Sequence, residues 1–145
     1  ERYEWKLIGR KEIFVPFHTT RLEDPKTSYK DIIATRGHPN PELIRWELRR
    51  VWVIEGTLKK GMRHIYGKRR MYVEEDSWQM LLADNYDTRG QLWRVGQNCA
   101  AYAYDGQFYY LNASFYQDLF SGAYSAENIT SEMIISEILN KVEVP

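Results

Sequence analysis

Residues 43–58 read Leu43-Ile44-Arg45-Trp46-Glu47-Leu48-Arg49-Arg50-Val51-Trp52-Val53-Ile54-Glu55-Gly56-Thr57-Leu58, and the spacing within them decides the fold class. Even positions hold Ile44, Trp46, Leu48, Arg50, Trp52, Ile54, Gly56 and Leu58, while the odd ones include Arg45, Glu47, Arg49, Glu55 and Thr57. A period of two sends successive side chains to opposite faces of a strand, so one face is aromatic and aliphatic and the other polar. The even face is expected to seek cover. What covers it is the functional question.

Strand signals continue on both sides of this run. Residues 3–15 form a first strand in which Tyr3, Trp5 and Leu7 share a face, Gly9 marks a bulge or bend, and Pro16 closes it. Residues 17–41 carry Pro25, Gly37, Pro39 and Pro41 with no sustained period, which predicts an ordered excursion across the sheet with a short helical turn near 28–34. After Leu58, the turn signal Lys59-Lys60-Gly61 leads into a return strand over 63–74, and Glu75-Asp76-Ser77 turns the chain into a strand over 78–86. Asp87-Thr88-Arg89-Gly90 precedes a strand over 91–104, Asp105-Gly106 is a strong hairpin signal before 107–115, and Ser121-Gly122 offers one more turn. Consecutive strands joined by short turns pair as neighbours, so the expected fold is mainly β: an antiparallel meander forming an unclosed barrel or strongly curved sheet. Met133, Ile134, Ile138 and Leu139 fit a short C-terminal helix over 130–140.

Composition narrows the function. The 145 residues suit one domain, and 20 basic against 20 acidic side chains give no excess of the kind that nucleic-acid binding needs. Tyr (11) and Trp (5) dominate a 14% aromatic content; such residues join a large apolar surface to a polar tip and suit half-buried sheets. Cys99 stands alone, so neither an internal disulfide nor a multi-thiolate metal site is expected, and a buried inert thiol is the simplest reading. No run reaches the roughly 20 apolar residues that span a bilayer. The chain opens at Glu1 without a basic or apolar leader, and strand-like sequence begins at Tyr3; we therefore expect 1–145 to be a single domain belonging to a larger protein, with any signal peptide outside this stretch.

Motifs for chemistry are missing. His18, His38 and His64 lie far apart without metal-ligand spacing, and no phosphate-cradling glycine loop or G-x-S-x-G elbow occurs. Carboxylate pairs such as Glu55 with Glu74 or Asp84 with Asp87 would serve a glycosidase only if they faced one cleft about 5–9.5 Å apart. Neither catalytic residues, metal nor cofactor is expected. The basic cluster Lys59, Lys60, Arg63, His64, Lys68, Arg69 and Arg70 reads first as a charged hairpin that blunts edge pairing and second as a contact for anionic lipid headgroups; alternation places Lys68 and Arg70 on the side of His64, with Arg63 and Arg69 opposite. The candidate ligand surface is the apolar stripe: Trp5, Trp46, Leu48, Trp52, Ile54, Trp78, Met80 and Trp93.

Several uncommon strings occur here in one order: Tyr29-Lys30-Asp31-Ile32, Gly37-His38-Pro39-Asn40-Pro41-Glu42-Leu43, Arg49-Arg50-Val51-Trp52-Val53-Ile54-Glu55-Gly56-Thr57-Leu58, Arg63-His64-Ile65-Tyr66-Gly67-Lys68-Arg69-Arg70, Asp76-Ser77-Trp78 and Ala83-Asp84-Asn85-Tyr86-Asp87-Thr88-Arg89-Gly90-Gln91-Leu92-Trp93-Arg94. Over residues 3–124 they resemble the C-terminal part of a bacterial family of unknown function known as outer-membrane lipoprotein-sorting proteins, close to the LolA/LolB-like fold. The resemblance implies longer, periplasmic Gram-negative proteins built on an incomplete barrel with a hydrophobic concave side, whose LolA-like relatives carry the acyl chains of lipoproteins and which associate with outer-membrane or efflux-type transporter components. It carries no catalytic residues. The expectation is a non-enzymatic carrier of a hydrophobic or lipidated ligand, with peripheral membrane contact allowed; the alternative is a scaffold or interaction module whose apolar face docks to the rest of its chain or to a transporter subunit.

Overall fold

A computed structural model of the chain describes residues 1–33 and 37–127. Seven strands follow one another in a single antiparallel sheet whose spatial order equals chain order: β1 (Tyr3–Pro16), β2 (Trp46–Leu58), β3 (Lys68–Glu74), β4 (Met80–Tyr86), β5 (Leu92–Ala103), β6 (Phe108–Asp118) and β7 (Tyr124–Glu127). The expected meander is therefore present, and the sheet does not close into a barrel. Gly9 takes a φ of 137° at a register shift between Leu7 and Gly9, the bulge that its position in β1 suggests. The C-terminal helix expected over 130–140 lies outside the described residues.

The excursion between β1 and β2 is ordered by its own side chains. Ser28 and Asp31 form a reciprocal capping box on the single-turn helix α1 (Tyr29–Ile32), and tight 3-10 turns at Thr20–Glu23 and Pro41–Leu43 flank it. Leu22, Ile32 and Ile44 pack on Cys99, Ala113 and Phe115, so the excursion covers β5 and β6. A second cluster joins Val15 and Phe17 to Val51, Val53, Leu81 and Ala100. Here the sheet curls enough for the end of β1 to reach β5: Phe17 forms a parallel bridge with Ala100, and the Thr19 N–H donates to the Ala100 carbonyl. Asn112 completes this seam, accepting from the Thr19 hydroxyl at 3.0 Å and donating to the Thr19 carbonyl at 3.1 Å.

The curl reverses the expected burial of β2. Val51 and Val53, at odd positions, are buried inside it, whereas Trp46 and Leu48, at even positions, are 43% and 57% exposed on the outside. Phe17 occupies the concave side against Val51 and Val53, so β2 contributes short β-branched side chains there and its indoles lie on the other face. Odd-numbered charges are accommodated there because each is paired: Arg49 with Glu74, Arg70 with Glu55, and His18 with Glu47.

Two strands start later than expected. Residues 59–67 form a loop rather than the start of a strand, because Tyr3 donates its hydroxyl to the Tyr66 carbonyl and His64 accepts from the Tyr66 N–H, folding the segment back over β1. Gly67, at the end of this loop, lies against the backbone of the next turn: a Cβ there would stand 2.9 Å from the Asp87 carbonyl oxygen and 3.0 Å from the Thr88 Cα. Backbone cannot swing aside as a side chain can, so Gly67→Ala is expected to destabilise the chain by about 1–3 kcal/mol in denaturant melts. The strand expected from Trp78 starts at Met80, since Trp78 sits in a left-handed turn.

Candidate functional site

The register of β1 on β2 assembles the outer surface. Leu7 lies opposite Ile54, Phe14 opposite Leu48, and Pro16 opposite Trp46, while the Trp5 ring covers Gly56, where an added Cβ would collide with it. Directly opposed residues share a face. The result is an exposed apolar surface in two patches: Trp5, Leu7 and Ile54 toward one end, Phe14, Trp46 and Leu48 toward the other. Between them runs a charged band in which Glu12 faces Arg50, and Arg10 and Arg50 both bond to Glu75 at 2.9 Å. Trp52 adjoins this band with the Arg10 guanidinium 5.2 Å over its ring, and its indole N–H finds no acceptor among the described residues.

The expected ligand-contact residues are thus only partly brought together. Trp5, Trp46, Leu48, Trp52 and Ile54 share the outer face, and Met80 extends the row through Val73, which stands opposite Trp52. Trp78 is apart from that face, 71% exposed at the tip of the β3–β4 hairpin. Trp93 belongs to another cluster, donating to Asp118 at 2.8 Å and stacking near Phe120 with Arg94 4.4 Å from its ring. Leu7 and Phe14 are the contributors missed by sequence reading. Their signal was the strand period of β1, broken at Gly9 by the bulge.

The inner side offers a different chemistry. The Tyr72 hydroxyl donates to Asp84 at 2.8 Å, and burial together with that carboxylate pushes its pKa up to about 12. Lys68 lies 4.1 Å over the Tyr86 ring, and Arg70 bonds to Glu55. With charges paired and aliphatic groups packed, this side resembles a core more than a lipid tunnel. The open grooves lie elsewhere: one of about 560 Å3 borders Tyr66, Asn85, Arg94 and Tyr116, and one of about 390 Å3 borders His18, Arg21 and Arg45.

The carboxylates singled out in the sequence are each engaged by a neighbour. Arg49 holds Glu74, Arg70 holds Glu55, Tyr72 donates to Asp84, and Asp87 accepts from the backbone of Arg89 and Gln91. Burial raises the Cys99 thiol to about 12, which leaves it protonated and unreactive at neutral pH. The basic cluster is divided differently from expectation, because 59–67 is not strand: His64 contacts Tyr3 and Tyr66, the ring that Arg69 overlies at 5.8 Å, so His64 and Arg69 meet at one site. Among the described residues, no group of three or more His, Cys, Asp or Glu side chains is placed to hold a metal ion.

Residues 1–141 match the family model described as protein of unknown function (DUF1329), and the chain belongs to that family. It is 46% identical over 132 residues to uncharacterized protein PA3922 of Pseudomonas aeruginosa, a match covering 91% of the chain and 29% of that protein. Among solved structures, it is similar to a DUF1329 family protein from Desulfovibrio piger (TM-score 0.54, 17% identity, 86% of this chain and 38% of that one). It is also similar to a Vibrio parahaemolyticus domain provisionally named outer membrane lipoprotein-sorting (TM-score 0.52, 9% identity, 97% of this chain and 49% of that one). At these identities the likeness is one of fold. The chain spans less than a third of the curated relative's length.

Proposed function

We propose that this member of the DUF1329 family is a non-enzymatic binding domain that holds a hydrophobic or lipidated ligand on the outer face of β1 and β2. One observation carries the reading: Trp5, Leu7, Phe14, Trp46 and Leu48 stand in register on one face, each at least 40% exposed. A surface of that kind on a folded chain signals an occupant. The fold shared with a domain named for outer-membrane lipoprotein sorting supports a lipidated ligand as that occupant and the cell envelope as its setting; within that setting the periplasm is the proposed location and an outer-membrane or efflux-type transporter component the proposed recipient. Affinity would come from burial, at roughly 25 cal/mol per Å2 of apolar area removed from water.

Native mass spectrometry of the purified chain tests this, followed by titration of the stripped protein with a fluorescent fatty acid. Each large side chain buried by a ligand contributes about 1.5–3 kcal/mol, so the paired change Trp46→Ser and Leu48→Ser is expected to weaken binding by about a hundredfold or more. No co-purified lipid and no saturable titration would sink the proposal. A second reading is favoured by the share of the curated relative that the chain spans, 29%: the same face docks against another part of a longer protein. In that case hydrogen exchange in the longer protein shows β1 and β2 protected, with no lipid bound.

A further inference from the structure

The two ends of the sheet build their turns differently. At the end where β2–β3, β4–β5 and β6–β7 connect, left-handed backbone falls on glycine: Gly61 (φ 85°), Gly90 (81°) and Gly122 (72°). At the opposite end it falls on His18 (53°) after β1, Trp78 (57°) in the β3–β4 turn and Gln107 (55°) in the β5–β6 turn. Glycine adopts this conformation freely, whereas a bulky L-residue is strained in it. Strain kept where a glycine would relieve it points to a requirement for the side chain. That requirement is not internal packing, because Trp78 is 71% exposed.

The same end is rimmed with aromatics. Tyr104 (76% exposed) stands in the β5–β6 turn and Phe108 (55%) just past it, while Phe14 (62%) and Trp46 (43%) lie where β1 ends and β2 begins. The Trp78 turn is also held rigidly. Glu74, 1% exposed, accepts from the backbone N–H of Asp76 and Ser77 and from the Ser77 hydroxyl, while Trp78 donates its N–H to the Glu74 carbonyl. Charges near this rim are largely paired, Asp76 with Arg49, Glu75 with Arg10 and Arg50, and Glu47 with Arg45, while Asp105 in the β5–β6 turn adds an exposed carboxylate, so the rim has no basic excess. The grooves beside Arg94 and beside His18 are lined by other residues than Trp78, Tyr104 and Phe108.

We propose that this end of the sheet, led by Trp78 with Tyr104 and Phe108, inserts into the interfacial layer of a lipid bilayer. Exposed rings carried on separate hairpin turns at one end of a sheet suit an extended partner better than a small molecule. Trp and Tyr favour the headgroup level, where an apolar ring is covered and its polar tip stays wet. Because the neighbouring charges carry no basic excess, attachment depends on ring insertion and little on anionic lipid. The inference goes beyond ligand binding by the outer face, since it assigns where the domain would stand while loading or unloading.

The test is co-sedimentation of the chain with phosphatidylcholine vesicles and with the same vesicles containing phosphatidylglycerol. Wild type is expected to sediment with both. W78G is expected to bind about tenfold or more weakly, the effect of losing one inserted indole, while melting no lower than wild type because glycine relieves the turn. Tyr104→Ser, in the other turn, should weaken binding as well with the melting temperature held. Wild type remaining in the supernatant overturns the proposal, as does W78G binding undiminished. Sedimentation only with phosphatidylglycerol also overturns it, transferring the contact to a basic surface. Fatty-acid titration of W78G separates this from the outer-face proposal, since it should be unchanged.

Discussion

Replacing Glu74 by Ala is expected to cost about 3–5 kcal/mol of folding stability, read as a lower midpoint in urea. The carboxylate is 1% exposed and is satisfied throughout: one oxygen accepts from Nε and Nη2 of Arg49 at 3.1 and 2.9 Å, the other from the Asp76 and Ser77 backbone and the Ser77 hydroxyl. Truncation leaves those donors without their acceptor and opens the turn that carries Trp78. Burial alone would raise the pKa of Glu74, but the Ser77 and Arg49 contacts outweigh it, so the folded value lies below the ordinary 4.5. A depressed folded pKa means the stabilising contribution is complete above about pH 4.5 and fades as pH falls through the folded value. Wild type and Glu74→Gln should therefore differ most near neutrality and converge in acid. A gap that stays constant down to pH 3 would show that charge is not what Glu74 contributes.

The meander was legible because it rests on local signals. Period-two runs, a glycine bulge at Gly9, the Lys59-Lys60-Gly61 turn and the punctuated excursion each act over a few residues, and each appears in the structure. Which face of β2 turns inward was not legible. Both faces carry apolar residues, Trp46, Leu48 and Ile54 on one and Val51 and Val53 on the other, and hydropathy favours the first. The choice is made by curvature, a property of the whole sheet: once β1 reaches β5, Phe17 fills the inside and β2 contributes the short Val51 and Val53 beside it. The same limit hid the Arg49–Glu74 pair, 25 residues apart in sequence, and the meeting of His18 with Glu47, 29 apart. It also explains the Asp105-Gly106 signal, which marked a true hairpin but not its geometry, since the left-handed residue is Gln107.

A carrier whose concave side is lined with open apolar surface encloses its cargo, whereas here that side is filled by Phe17, Val51, Val53 and paired ions, and the exposed apolar surface is outside. Cargo held on a convex face must be covered from beyond the sheet, by another part of a longer protein, by a partner or by lipid. The outer-face and rim proposals are therefore geometrically linked, because Phe14 and Trp46 belong to the face and stand at the rim.

The seam between β1 and β5 should be the most sensitive point of the fold. Phe17 is fully buried, its ring 5.1 Å from Tyr109 and 4.4 Å from the Arg49 guanidinium, while its N–H donates to the Arg45 carbonyl. Phe17→Ala removes most of a ring from a site that rigid strands cannot collapse around, and is expected to cost about 3–5 kcal/mol; Phe17→Leu, nearer in volume, should cost well under half of that. The loss is directional. Amide exchange at Phe17 and Thr19, whose N–H groups tie the end of β1 to Arg45 and Ala100, should accelerate well beyond that of the β3–β4 pair. Uniform acceleration across the sheet would refute a local seam. Because Arg49 lies over Phe17 and also clamps Glu74, the double variant Phe17→Ala with Glu74→Ala should lose less than the two single losses added. Strict additivity would mean that the aromatic seam and the buried ion pair are independent, and that Arg49 does not couple the curl of the sheet to the turn presenting Trp78.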